Sequence, residues 1–253
     1  MIVQIYEIQT RQEAQLMIDL GVDHIGSVLL SQDHCHDEHL KQTVNLIQAA
    51  GRKSSLIPLF HQAERIIDAI EFYRPDIIHF CENLNFDGGS PQAVHEALER
   101  QKVIRSIFAD LEIMRSIPIA VSGHQDKVAS LKLAALFEPV SDWFLTDTLL
   151  IDSNTPASET EQPVNGFVGI TGKTCDWEIA CKLVQTSRIP VILAGGLGPD
   201  NTHDGILNVK PAGVDSCTLT NAVDADGHPI RFKKDPEKVR AMVQAAREAS
   251  VSI

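Results

Sequence analysis

Eight short runs rich in Val, Ile, Leu and Phe, alternating with longer amphipathic stretches from end to end, predict one α/β domain over 1–253, closed as a (βα)8 TIM barrel. The length of 253 residues suits such a barrel. No linker, internal repeat or low-complexity tail divides the chain, so a single core serves all of it. An open doubly wound sheet shares the strand–helix alternation, and the count of eight units favours the barrel.

The first strand is expected over 2–8, reading Ile-Val-Gln-Ile-Tyr-Glu-Ile. Thr10 and Glu13 then form a capping-box pattern that opens a helix, and Gly21 stands where a helix C-terminus wants a glycine. Further strands are expected at 23–30, 55–60, 76–81, 117–122, 143–147, 190–195 and 213–218. Ser90-Pro91 and Asp235-Pro236 each set a capping side chain before a first-turn proline, and Asp200-Asn201 is placed to cap the helix after strand seven. The apolar run Phe167–Ile170 reads as loop rather than as a ninth strand. The preceding 149–166 is polar and rich in Pro, Asn and Ser, and Gly172 soon ends the run.

The charge excludes one class of partner. Against 22 Lys and Arg stand 34 Asp and Glu, a formal charge of −12, and such a surface repels nucleic acid. Any anionic ligand needs a local cationic or amide-lined site. No apolar run reaches the ~20 residues of a membrane span, and the opening residues lack the basic-then-apolar pattern of a signal peptide. Five scattered cysteines without a CxxC fit a reducing compartment. The expected location is cytoplasmic and the expected partner a small metabolite, with the chain a monomer or homodimer.

In a barrel, function gathers just past the C-terminal strand ends. Pro190-Val-Ile-Leu-Ala-Gly195-Gly196 leaves a strand on two glycines, which let a phosphate approach backbone amides beside a helix start. Gly169-Ile-Thr-Gly-Lys173-Thr lacks the GxxxxGK[ST] spacing of a nucleotide-binding loop and reads instead as a glycine-hinged loop carrying Lys173 over the barrel mouth. Asp147 ends an otherwise apolar strand, where desolvation raises a carboxylate's pKa and suits it to general acid or base work. Asp33-His-Cys-His-Asp-Glu-His39 is the most unusual stretch. With His61 and Cys81 at neighbouring strand exits, its His34 and His36 are the candidates for a zinc-type site, against a plainer reading as a solvated loop.

In order, Phe144-Leu-Thr-Asp-Thr148, Gly169–Trp177 (GITGKTCDW), Pro190–Asn201 (PVILAGGLGPDN), Gly213-Val-Asp215 and Lys233–Val243 make the chain resemble phosphoribosylanthranilate isomerase. That family consists of TIM-barrel enzymes of tryptophan biosynthesis that perform an Amadori rearrangement. The resemblance implies that Asp147 is the general acid, that Gly195 and Gly196 form part of a phosphate site, and that Lys173 lies in the loop after strand six. It also exposes departures. Where the family carries a Cys as general base, this chain has Tyr6, followed by Glu7. Where an Arg holds the anthranilate carboxylate, the Asp33–Asp37 run stands, with Cys35 at about that place. The family's Gln-Leu-His-Gly is His79-Phe-Cys-Glu82, and its Ser-Ser-Gly phosphate loop is Cys217-Thr218-Leu219.

The expected function is therefore aldose–ketose, Amadori-type isomerisation of a small phosphorylated sugar derivative, without a cofactor. The expectation does not extend to phosphoribosylanthranilate itself. Asp147 is the acid, Glu7 or Tyr6 its partner, and Gly195, Gly196, Thr218 and Lys173 the phosphate and substrate contacts. Two rival readings fit the same barrel: a metal-assisted lyase or epimerase built on the histidines and Cys81, and a non-catalytic binder of phosphorylated metabolites.

Overall fold

A computed structural model describes residues 1–84, 91–124, 127–150 and 162–251. Eight parallel strands close on themselves in sequential order: β1 (Ile2–Ile5), β2 (His24–Leu29), β3 (Lys53–Pro58), β4 (Ile77–Phe80), β5 (Glu112–Ala120), β6 (Trp143–Leu149), β7 (Val191–Leu193) and β8 (Gly213–Ser216). Closure is made where Ile2 to Ile5 of β1 register against Gly213 to Ser216 of β8. Helices α1 (Arg11–Asp19), α2 (Glu38–Ala49), α3 (Ala63–Tyr73), α4 (Pro91–Ile107), α5 (Ser130–Phe137), α6 (Trp177–Thr186), α7 (Thr202–Val209) and α8 (Pro236–Ser250) follow the strands in turn. The predicted TIM barrel is the fold observed.

The N-terminal rim is tied by a repeated device. Asp23, Asp76 and Asp142 each stand one residue before an even-numbered strand, and each accepts a backbone N–H from the strand before it. The donors are Val3, Ser54 and Ile113. An aspartate there pairs an N–H that the ladder leaves open at the strand's start. Arg247 near the end of α8 also reaches Asp23, at 2.7 Å, which fastens the last helix to the first strands.

Helix starts follow the sequence with one exception. Thr10 accepts from Glu13 N, and Asp235 accepts from Glu237 N and Lys238 N. Ser90 lies outside the described residues. Asn201 makes no side-chain cap on α7. Its amide instead donates to Gly196 O and accepts from Gly198 N, so it braces the glycine turn after β7.

Several strand ends differ from expectation, each for a local reason. β1 stops at Ile5 rather than residue 8, because Glu7 takes a left-handed φ of 66°. β7 stops at Leu193, where Gly195 turns at φ 88°. β5 begins at Glu112 and ends at Ala120, not over 117–122. Its first half carries Arg115, a fully buried side chain ion-paired to Glu82 and packed over the rings of Phe80 and Phe137. Beyond β8 the chain forms an unanticipated hairpin, β9 (Asn221–Val223) with β10 (Pro229–Lys234), turning at Gly227 with φ 85°. Phe167–Ile170 is loop, as expected, apart from one bridge from Phe167 to Glu82.

Candidate active site

Inward-facing side chains fill the lower barrel and leave a cavity of about 770 Å³, measured out to its mouth, at the C-terminal ends of the strands. Its two opposite walls differ. Val28 of β2, Ile57 of β3, Leu59 just beyond it and Phe167 of the β6–α6 loop make an apolar wall. Facing it, across the barrel, are Gly172, Gly195, Gly196 and Thr218 from the loops after β6, β7 and β8.

Asp147 enters from the end of β6. Burial pushes its carboxyl up to about 7, offset in part by the hydrogen bond it accepts from Thr148 N at 3.0 Å. A Cβ at position 169 would stand 2.5 Å from Asp147 Oδ2, so glycine there lets the loop fold down onto the acid. Asp215 of β8 lines the same cavity. Burial raises it to about 8, against a hydrogen bond from Gln4 Nε2 at 3.1 Å. In the sequence Asp215 stands out only as part of the Gly213-Val-Asp215 motif. The usable signal was the one that found Asp147: a carboxylate at an inward position of a buried strand.

Tyr6 lines the cavity floor with its hydroxyl fully engaged. It lies 2.6 Å from Ser55 Oγ and 2.7 Å from His79 Nδ1, and His79 Nε2 continues to Ser116 Oγ at 2.8 Å. Burial holds the phenol well above its ordinary value and lowers His79 to about 3, so both groups are neutral around pH 7. Glu7 is buried and committed elsewhere. Its Oε1 accepts from Arg231 Nε at 2.7 Å, and Phe232 N donates to its Oε2 at 3.3 Å. Cys81 and Cys217 also reach the cavity, and burial raises both thiols, Cys81 well above its ordinary range and Cys217 beyond it too.

The glycine wall is built by close approach. A Cβ on Gly195 would meet Thr148 Oγ1 at 2.3 Å, and one on Gly196 would meet the carbonyl carbon of Lys173 at 2.4 Å. Thr218 Oγ1 has no hydrogen-bond partner among the described residues although it is buried beside the cavity. The Lys173 backbone packs into this corner, accepting from Thr148 Oγ1 at 2.6 Å, while its side chain is exposed and does not line the cavity.

The histidine-rich segment turns away. Cys35 is buried in the outer layer against α3, and His36 stacks on Phe72 and pairs with Asp68 at 3.2 Å. Cys35, His36 and Asp68 bring their ligand atoms within 4.8 Å of one another. His61 instead stacks on Phe167, and Cys81 faces the barrel interior, so His36, His61 and Cys81 stand apart. The side chain of His34 lies outside the described residues. Glu82 points outward as well. Despite burial, Arg115 and Arg100 beside it hold its carboxyl down to about 2. Lys234 is buried and donates to Cys217 O at 2.8 Å.

A closed barrel with paired acids and a glycine-lined corner at its C-terminal mouth has the form of a phosphosugar isomerase. The family model described as N-(5'phosphoribosyl)anthranilate (PRA) isomerase matches residues 91–245, more than half of the sequence. The chain belongs to that family, and the family's enzymes are isomerases. It is 25% identical to the N-(5'-phosphoribosyl)anthranilate isomerase of Methanothrix thermoacetophila over 249 residues, covering 97% of each chain. The phosphoribosyl anthranilate isomerase structure from Thermotoga maritima superposes with a TM-score of 0.66 at 18% identity, over 98% of this chain and all of that one. A phosphoribosyl anthranilate isomerase solved in complex with reduced 1-(o-carboxyphenylamino)-1-deoxyribulose 5-phosphate gives 0.65 at 18% identity, with the same coverage. Among the described residues, no helix is long and apolar enough to cross a membrane.

Proposed function

We propose that the cavity catalyses Amadori-type isomerisation of a phosphorylated N-glycosylamine to its 1-amino-1-deoxyketose phosphate, using Asp147 and Asp215 as the proton-transferring pair. The observation that carries this is the pair itself: two carboxylates in one cavity, Asp147 half-buried and held at about 7, Asp215 buried and held at about 8. The phosphate sits at the Gly195–Gly196 turn and the Thr218 hydroxyl, the corner with glycine backbone and an unpartnered donor. A phosphorylated ketose amine is the class of ligand held by a solved relative.

The steps balance with the chain's own groups. Protonated Asp147 donates to the ring oxygen as the C1–O bond breaks and the nitrogen lone pair forms the Schiff base. Ionised Asp215 takes the proton from C2, and its electron pair closes the C1–C2 double bond of an enaminol as the iminium is neutralised. Tautomerisation then leaves the amino ketose. Tyr6 is a poor proton acceptor because its phenol is held above pH 10, and Glu7 is drawn off by Arg231. Because two coupled acids share the site, their apparent values belong to the pair. The reacting form carries one proton, on Asp147, and since Asp215 is held higher this is the less populated of the two one-proton arrangements.

The test is conversion of N-(5'-phosphoribosyl) arylamines followed by NMR. Asp147→Asn and Asp215→Asn are each expected to lower kcat by roughly 10² to 10⁴. The profile of kcat/KM against pH should be a narrow bell, rising as the pair loses its first proton and falling as it loses its second, with limbs near 7 and 8. Full activity in either variant, or no turnover by the native protein, would refute the assignment.

A further inference from the structure

We infer that the amine half of the substrate is uncharged and apolar, a neutral aryl or alkyl amine rather than one bearing a carboxylate. The inference rests on the phosphosugar reading above and adds the chemistry of the half that does not carry phosphate.

No lysine or arginine side chain lines the cavity among the described residues. The undescribed stretches, 85–90, 125–126, 151–161 and 252–253, contain neither residue in the sequence, so they bring no such cation either. The nearby cations are spent or misplaced. Arg231 lies against Glu7 at 2.5 Å, so its charge is neutralised before any ligand arrives. Lys173 belongs to the loop packed against Gly196, at the phosphate corner. His61, on the outer face of Phe167, is held below its ordinary value by burial and is neutral at pH 7.

What the cavity offers opposite the phosphate corner is hydrocarbon: Val28, Ile57, Leu59 and one face of Phe167, whose other face is covered by His61 at 5.0 Å between ring centroids. The β2–α2 connection, where a carboxylate-holding Arg was the comparison, turns Cys35 outward into the layer beneath α3. Three acids, Glu7, Asp147 and Asp215, also face the cavity. A carboxylate placed on the apolar wall would lose its hydration without gaining a cation and would share the cavity with the ionised member of the Asp147–Asp215 pair, a double penalty. A flat apolar ring on Phe167 meets neither cost and gains stacking.

The experiment is calorimetric titration of the full-length protein with two unreactive ligands. One is reduced 1-(o-carboxyphenylamino)-1-deoxyribulose 5-phosphate, and the other is the same molecule with a plain phenyl ring. The plain phenyl analogue is expected to bind at least about tenfold tighter, the scale set by a desolvated, unpaired charge. Leu59→Arg, which puts a guanidinium at the apolar wall, should tighten the carboxylated ligand by at least about tenfold and narrow that ratio. Equal or tighter binding of the carboxylated ligand by the native protein overturns the inference and leaves the phosphosugar reading standing. Binding of neither ligand overturns both.

Discussion

Tyr6 occupies space that only a glycine leaves. A Cβ on Gly26 of β2 would come within 2.0 Å of Tyr6 Cδ1, so the two positions are paired: a ring just past the end of β1 fills the gap in β2. The same ring anchors the Ser55–Tyr6–His79–Ser116 chain, which crosses four strands beneath the cavity. Gly26→Ala should therefore destabilise the fold by about 2 kcal/mol or more through overpacking, measured by urea denaturation. Tyr6→Phe would keep the ring and should leave His79 Nδ1 without its partner, a loss of about 1–3 kcal/mol. A null effect of Gly26→Ala would show that the ring can move aside. The surroundings of the candidate site residues were legible only in part at this scale. Asp147 was visible as an isolated acid ending an apolar strand, but the commitments of Tyr6 and Glu7 are made by residues 49 to 225 positions away.

The β9–β10 hairpin does for the barrel mouth what no earlier element does. Lys234 Nζ donates to Asn221 Oδ1 at 2.5 Å and to Cys217 O, and Asp235 N donates to Thr220 O at 2.9 Å, so the hairpin's base is clipped to the exit of β8 beside Thr218. From its far strand Arg231 reaches Glu7 at the exit of β1. Arg231→Ala leaves a buried carboxylate without its cation. It should cost about 2–4 kcal/mol in urea denaturation, the lower figure reflecting the partial exposure of the arginine. Arg231→Lys, which keeps the charge, should recover part of the loss, and a loss as large as that of Arg231→Ala would assign the effect to packing instead. The hairpin is not legible in the sequence because its strands are only three and six residues long, too short to show a period. Its one cue, Asp226-Gly227, is the turn dipeptide of a tight hairpin.

Across the whole molecule, four groups set an opposed pH dependence. His24 and His79 are lowered to about 4 and about 3, so as pH falls below 6.5 the unfolded chain binds protons that the folded barrel refuses, and stability is lost. Asp147 and Asp215 are raised from 3.8 to about 7 and about 8, so as pH rises past 3.8 the unfolded chain releases protons that the barrel retains, and stability is lost up to pH 8. Between roughly pH 4.5 and 6 the two effects nearly cancel, and the thermal midpoint should be highest there. Asp215→Asn should flatten the alkaline limb, gaining on the order of 2–4 kcal/mol at pH 8.5 relative to the native chain. An unchanged limb in that variant would mean that Asp215 is ionised in the folded state.

The sequence by itself determined the barrel, its eight strands in order and the main helix caps, because alternating apolar periodicity and capping chemistry are local. It did not determine what the cavity lacks, since Lys173, expected over the mouth, is exposed in the fold and does not line it. Tertiary structure decided which acids share the cavity. Asp147 and Asp215 lie 68 positions apart in the sequence and meet only because strands six and eight project side chains into one closed interior. It also decided that Glu7, Arg115 and Lys234 are buried among partners rather than solvated. Burial and charge pairing depend on what the fold brings alongside, and no local pattern carries that information.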